Sequence, residues 1–235
     1  MCKEIKNQSH KKMNQPIPLT QKLYLLGIHP EKGGLIAASY SIMNFILIGA
    51  LLLELYLNKN IGFDQKKIVL LNDKTSDPLH RFLLEKIKQK QEPIKISSWI
   101  NKLHFSQKHI RSEVQKGLVE RRIIKMEPHQ FLFFSWYKSK IINKQPVFNL
   151  ITDIENQIFK GTVNEEEIML LSMLIPAGLL KRIFPEREKR NRAVDKLKNM
   201  TVENQVSVAV SEAIAAAQAV AASVTVSAAV AGAHR

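Results

Sequence analysis

The sequence predicts a mostly helical protein that carries one β-hairpin. Three observations lead there. The segment from about Ala37 to Leu57 is apolar nearly all round, and such a helix belongs at the centre of a bundle. Several other stretches repeat apolar residues three and four apart, the spacing of one helix face. The nine Gly and nine Pro are few for a loop-rich or β-rich chain of 235 residues. That length can bury a substantial core in one domain, or at most two. An apolar fraction of 45% marks the chain as globular.

In order along the chain, residues 1–16 are polar and basic and are expected to form a flexible tail. Thr20 is placed to cap a helix over Gln21–Ile28. Pro30 and Gly33-Gly34 call for a loop, after which the apolar segment reads as one long helix. Ile61–Leu71 reads as short extended pieces. Asp77-Pro78 opens a helix with Leu79, Phe82, Leu83 and Ile87 at helical spacing, and Glu92-Pro93 breaks it. Ser97 or Ser98 can cap a short helix carrying Trp99 and Leu103. Ser106 then opens a helix with Ile110, Val114 and Leu118 on one stripe.

Ile123–Met126 and Phe131–Trp136, with Glu127-Pro128-His129 between them, read as a β-hairpin. A helix follows around Phe148–Lys160 and ends at Gly161. Asn164 caps the next, where Glu165, Glu166 and Glu167 suit the positive helix end. Pro176 kinks or divides the apolar run Ile168–Phe184. Residues 185–198 are densely charged. The segment 201–235 is Ala/Val-rich and is expected to be helical and packed on the domain.

The net charge of +14 requires solvent or an anionic partner: nucleic acid, anionic membrane or acidic protein. A single cysteine, Cys2, excludes an intramolecular disulfide. The N-terminus lacks the apolar core of a secretory signal. Ile42–Leu57 is too short to cross a bilayer and contains Glu54; the stretch from Ala213 to Ala233 is long enough but brings little lipophilic surface. Nucleotide-binding, hydrolase-elbow and zinc-protease motifs do not occur, and the scattered histidines form no zinc set. The reading is therefore not an enzyme, with no cofactor and no metal.

Function points to the region from Lys102 to Trp136. Lys108, Arg111 and Gln115 fall together on one side of the helix opened by Ser106, away from the apolar stripe. Two cations three residues apart repel slightly, a cost that a phosphate between them turns into a gain. They form either a solvated basic face or a headgroup site. Phe131, Leu132, Phe133, Phe134, Trp136 and Tyr137 crowd one arm of the hairpin. Strand alternation sends some of them to each face. One face can pack on the bundle. The other is buried as well, or meets a partner subunit, a membrane or another chain. Trp and Tyr beside Lys138 and Lys140 suit a membrane interface.

Segments Pro18–Gly27, Gly49–Leu55, Leu118–Ile124 and Gln130–Phe134, with the apolar helix Leu170–Leu180 after them, resemble in order and spacing the Golgi phosphoprotein 3 family. The resemblance spans most of residues 17–200. It implies a single helical domain with a central apolar helix bundle and a projecting β-hairpin. It further implies a peripheral membrane protein that binds phosphatidylinositol 4-phosphate and holds the cytosolic tails of membrane-bound glycosyltransferases. Of the family's lipid-pocket positions, two are similar to Lys108 and Arg111, where positive charge is kept. The expected Trp and a further Arg fall near Ser39 and Ile48, which are of other types. With its simple N-terminus the sequence is compatible with a prokaryotic member of the family as well as a eukaryotic one. The location implied is the cytosolic face of a membrane: Golgi in a eukaryote, inner membrane in a bacterium.

Two other readings stay open. A winged-helix DNA-binding module also consists of a basic helix followed by a hairpin; nucleic acid is the less favoured partner, because the hairpin is continuous with a large apolar bundle. An adaptor can instead homo-oligomerise through the hairpin without lipid affinity.

Overall fold

The computed structural model describes residues 15–203, apart from 91 and 162, together with residue 215. The expected tail, save for its last two residues, and the Ala/Val-rich end beyond residue 203, save for Ala215, lie outside the described residues. Within them stand ten helices, a three-stranded sheet and a two-stranded hairpin. The fold is mostly α, as the apolar periodicity predicts.

Helix α1 (Leu19–Gly27) lies against the central helix α3 (Met43–Leu57). The expected single helix over 37–57 is two: α2 (Ala37–Tyr40) and α3, parted at Ser41–Ile42. Hydroxyl residues compete with helical backbone bonding. Here the Ser39 hydroxyl donates to the Ala177 carbonyl at 2.6 Å, tying α2 to a distant loop. Apart from Glu54, α3 carries no charged residue, and its residues from Ile46 to Leu55 are all buried. Each fully buried aliphatic side chain contributes about 1.5–3 kcal/mol, so α3 is the element that the other helices assemble on.

Strands β1 (Ile61–Asp64) and β2 (Lys67–Leu70) pair through a two-residue turn, Gln65-Lys66, with φ of 46° and 64°. Two successive positive φ values match the twist of a tight hairpin. Asp77 caps α4 (Pro78–Lys88), accepting from the amides of Leu79 and His80. After β3 (Ile94–Lys95) come α5 (Ile96–His104) and α6 (Gln107–Glu120). Neither Ser97, Ser98 nor Ser106 caps with its side chain, since α5 starts at Ile96 and the Ser106 hydroxyl makes no cap bond. Helix α6 packs on α1, α3 and α4 through Ile110, Val114 and Leu118.

The long hairpin, β4 (Ile124–Phe131) with β5 (Phe134–Ile141), turns at Leu132-Phe133 and not at the expected Glu127-Pro128-His129. Pro128 sits mid-strand, opposite Tyr137. A two-stranded ribbon has an outward edge on each strand, where a residue without an N–H breaks no ladder bond. Helix α7 (Gln145–Lys160) follows. Helix α8 (Glu165–Leu174) begins with the expected Asn164, in a reciprocal capping box with Glu167. Its apolar run ends before Pro176, in a loop where Gly178 has φ of 67° and lies against the Ala38 carbonyl. Helices α9 (Leu180–Ile183) and α10 (Arg187–Glu203) complete the described chain.

At the junction of α1, α3 and α4 lies a buried ionic cluster. Glu54 Oε1 accepts from the Thr20 amide at 2.6 Å and its hydroxyl at 2.9 Å, and Oε2 meets His80 Nε2 at 2.8 Å. Thr20 therefore does not cap α1. Glu54, from another helix, satisfies one of the amides that α1 leaves open. Burial pushes the His80 imidazole down, but the hydrogen bond and charge of Glu54, with Asp77, push it up by more. The folded state thus binds the His80 proton more tightly than the unfolded chain. That contribution is full below about pH 6.5, the unfolded value, and is lost as pH rises through the raised folded value. Urea midpoints should fall across that window, and His80→Gln should flatten the profile.

Candidate functional site

The two cations expected on α6 are present there in different settings. Lys108 is exposed near the helix start, and Arg111, one turn on, is half-buried. Arg111 donates from Nε at 3.0 Å and from Nη2 at 2.5 Å to Asn44 Oδ1, in the first turn of α3. Asn44 in turn donates to Gln107 Oε1 at 2.7 Å. The guanidinium is thus held by a neutral amide. Among the described residues neither Lys108 nor Arg111 has a carboxylate partner. A planar guanidinium fixed on one edge is pre-ordered, which lowers the cost of its next hydrogen bond.

Gln115 has a different task. Its amide donates to the Tyr24 hydroxyl at 2.6 Å and the Ser139 hydroxyl at 3.1 Å, and those two hydroxyls are 2.8 Å apart. This knot pins β5 to α1 and α6, so the donors of Gln115 are committed to the fold. Across β5, the Gly34 amide donates to the Ser139 carbonyl at 2.8 Å. The base of the hairpin is therefore held from two sides, and Ile124 and Ile141 are buried there.

Beyond that base the hairpin leaves the bundle. Phe131, Leu132, Phe133, Phe134, Trp136 and Tyr137 are all exposed, Phe133 at 98%. The expectation that one face packs on the bundle fails at the tip. Eight-residue strands reach about 24 Å, and the exposure of the residues from Phe131 to Tyr137 shows that the bundle leaves that end uncovered. Leu132 also takes φ of 51°, in a left-handed region that costs an L-residue about 1–2 kcal/mol. A turn shaped only for water uses Asn-Gly or Gly there. Lower on the ribbon, Glu127 lies 2.9 Å from Lys125 and 3.3 Å from Lys140. The Lys125 hydrogen bond, against some burial and with help from Lys140, holds the Glu127 carboxyl below its ordinary range. One carboxylate thus serves two lysines and leaves the ribbon net positive. His129 stacks on Trp136 across the strands, with centroids 6.0 Å apart.

Ser39 and Ile48 are both fully buried, in the core. Neither can line a surface pocket. No group of three or more His, Cys, Asp or Glu residues suited to a metal occurs among the described residues. No helix among them is long and apolar enough to cross a membrane.

The model of one protein family, Golgi phosphoprotein 3 (GPP34), matches residues 19–217. The chain belongs to the Golgi phosphoprotein 3 family. The match covers the bundle, the hairpin and both α6 cations. Sequence reasoning on this family member missed Asn44, which holds Arg111, and Gln107, which accepts from Asn44 in turn. The available signal was a polar residue breaking an otherwise apolar run, and Asn44 is one of only two such residues between Ile42 and Leu57, if the Tyr56 hydroxyl is set aside.

Proposed function

We propose that this family member is a peripheral membrane protein that takes anionic phospholipid headgroups at the start of α6, with the hairpin tip seated in the bilayer interface. The observation that carries the reading is the pairing of two cations free of carboxylates with a finger of exposed aromatics. A phosphate accepts from both cations, and Arg111 is already oriented for it. The tip supplies Trp136, Tyr137 and three phenylalanines, the side chains that favour the headgroup level. Because the residues at Ser39 and Ile48 lie in the core, the headgroup is held by charge more than by a shaped inositol pocket. Its role as an adaptor for the tails of membrane enzymes rests on the family resemblance alone.

This reading sets an expected result for a panel of vesicles. Binding should follow anionic content, with little preference between phosphatidylserine and phosphatidylinositol 4-phosphate. It should weaken several-fold when salt is raised toward a Debye length of about 3 Å. Duplex DNA should not compete. The winged-helix reading requires the exposed face of α6 to enter a groove, while its apolar face stays packed on α1, α3 and α4. Direct, salt-sensitive binding to duplex DNA, with no binding to vesicles at any salt, would return the choice to that alternative.

A further inference from the structure

Phe105 stands at the corner between α5 and α6, 91% exposed. One apolar side chain on a surface is ordinary; its setting here is not. Between Glu92 and Glu113 the chain has no Asp or Glu, while Lys95, Lys102, Lys108 and Arg111 all fall in that interval. The corner is also braced. His104 stacks on Phe45 with centroids 4.9 Å apart and meets Phe105 edge-on at 6.1 Å. Phe45 directly follows Asn44, so the first turn of α3 supports both the Arg111 guanidinium and the ring of the corner.

The hairpin heads toward the same end of the bundle. The contact of Gln115 with Ser139 places the third rung, Met126 with Ser139, beside the middle of α6. The ribbon base therefore runs back along α6 toward its N-terminus. From Gln115 to Gln107 the helix spans about 12 Å, and from Met126 to Phe131 the strand spans about 17 Å. On that heading the tip and the corner lie toward the same end of the bundle.

We propose that Phe105 is a second membrane anchor, a ring that enters the acyl boundary while Lys102 and Lys108 on either side stay at phosphate depth. This rests on the peripheral-membrane reading above and adds a contact that the hairpin does not supply. A lipid surface fits better than a protein surface. A single ring within a carboxylate-free cationic stretch offers a protein too little apolar area for a stable interface, whereas a bilayer takes up separate anchors one by one.

The test uses the full chain. A nitroxide is attached through Phe105→Cys in a Cys2→Ser background, and vesicles of phosphatidylcholine and phosphatidylserine are added. The label should become more accessible to oxygen and less accessible to an aqueous nickel chelate. Phe105→Ser should lower vesicle partitioning about tenfold with an unchanged melting temperature. If the bound protein keeps its label fully open to the nickel chelate, and Phe105→Ser partitions like the parent chain, the anchor is wrong while the membrane reading stands. If the parent chain does not bind these vesicles at all, both are wrong.

Discussion

Replacing Glu54 with Ala should cost about 3–5 kcal/mol of folding stability, the largest loss expected from any single substitution considered. The carboxylate is buried in the nearly all-apolar helix α3, yet three donors converge on it: the Thr20 amide, the Thr20 hydroxyl and His80 Nε2. Truncation leaves a buried amide and a buried imidazole unpaired, and each such group costs about 1–3 kcal/mol. It also opens a void where α1, α3 and α4 meet. Urea denaturation of the full chain measures the loss. Glu54→Gln is the informative companion: it keeps an oxygen for Thr20 but offers His80 an amide without charge, so it should recover about half of the stability. A Glu54→Ala protein within about 1 kcal/mol of the parent, the usual size of a change at an uninvolved site, would show that the cluster is incidental.

The same residue shows where reading the sequence succeeds and where it stops. Glu54 in an apolar run is visible as an anomaly, and its burial follows. That it closes the N-terminus of another helix is not visible, because Thr20 lies 34 positions away and looks like an ordinary cap. Local signals are reliable where their cause is local. Asp77 and Asn164 cap the helices they precede because the whole interaction spans two or three residues. The hairpin turn is misread for the converse reason. Pro128 is a strong turn signal, but tolerance for it depends on whether its strand has a free edge, which only the tertiary arrangement decides. In the candidate site, Lys108 and Arg111 were legible as cations one turn apart. Gln115 looked like their neighbour on the same face, but its partners Tyr24 and Ser139 come from distant segments and draw it into the fold.

Reversing both cations, Lys108→Glu with Arg111→Glu, should reduce binding to anionic vesicles about a thousandfold. Each basic group near such a surface contributes about 1 kcal/mol. Reversal removes two attractions and adds two repulsions of similar size, about 4 kcal/mol together, and every 1.4 kcal/mol is tenfold. Lys108→Gln with Arg111→Gln removes the attractions alone and should cost about thirtyfold by the same reckoning. The paired series separates charge from shape. Arg111→Gln keeps an amide that can still donate to Asn44, so loss of binding there cannot be assigned to a collapsed first turn of α3. Lys108 makes no ion pair among the described residues and is exposed, so Lys108→Glu alone leaves the fold untouched and should already cost about thirtyfold. Sedimentation and melting are measured on the same samples. Two variants that sediment like the parent chain at low salt, with unchanged melting, would remove the start of α6 from the membrane surface and leave the exposed hairpin to a second protein chain.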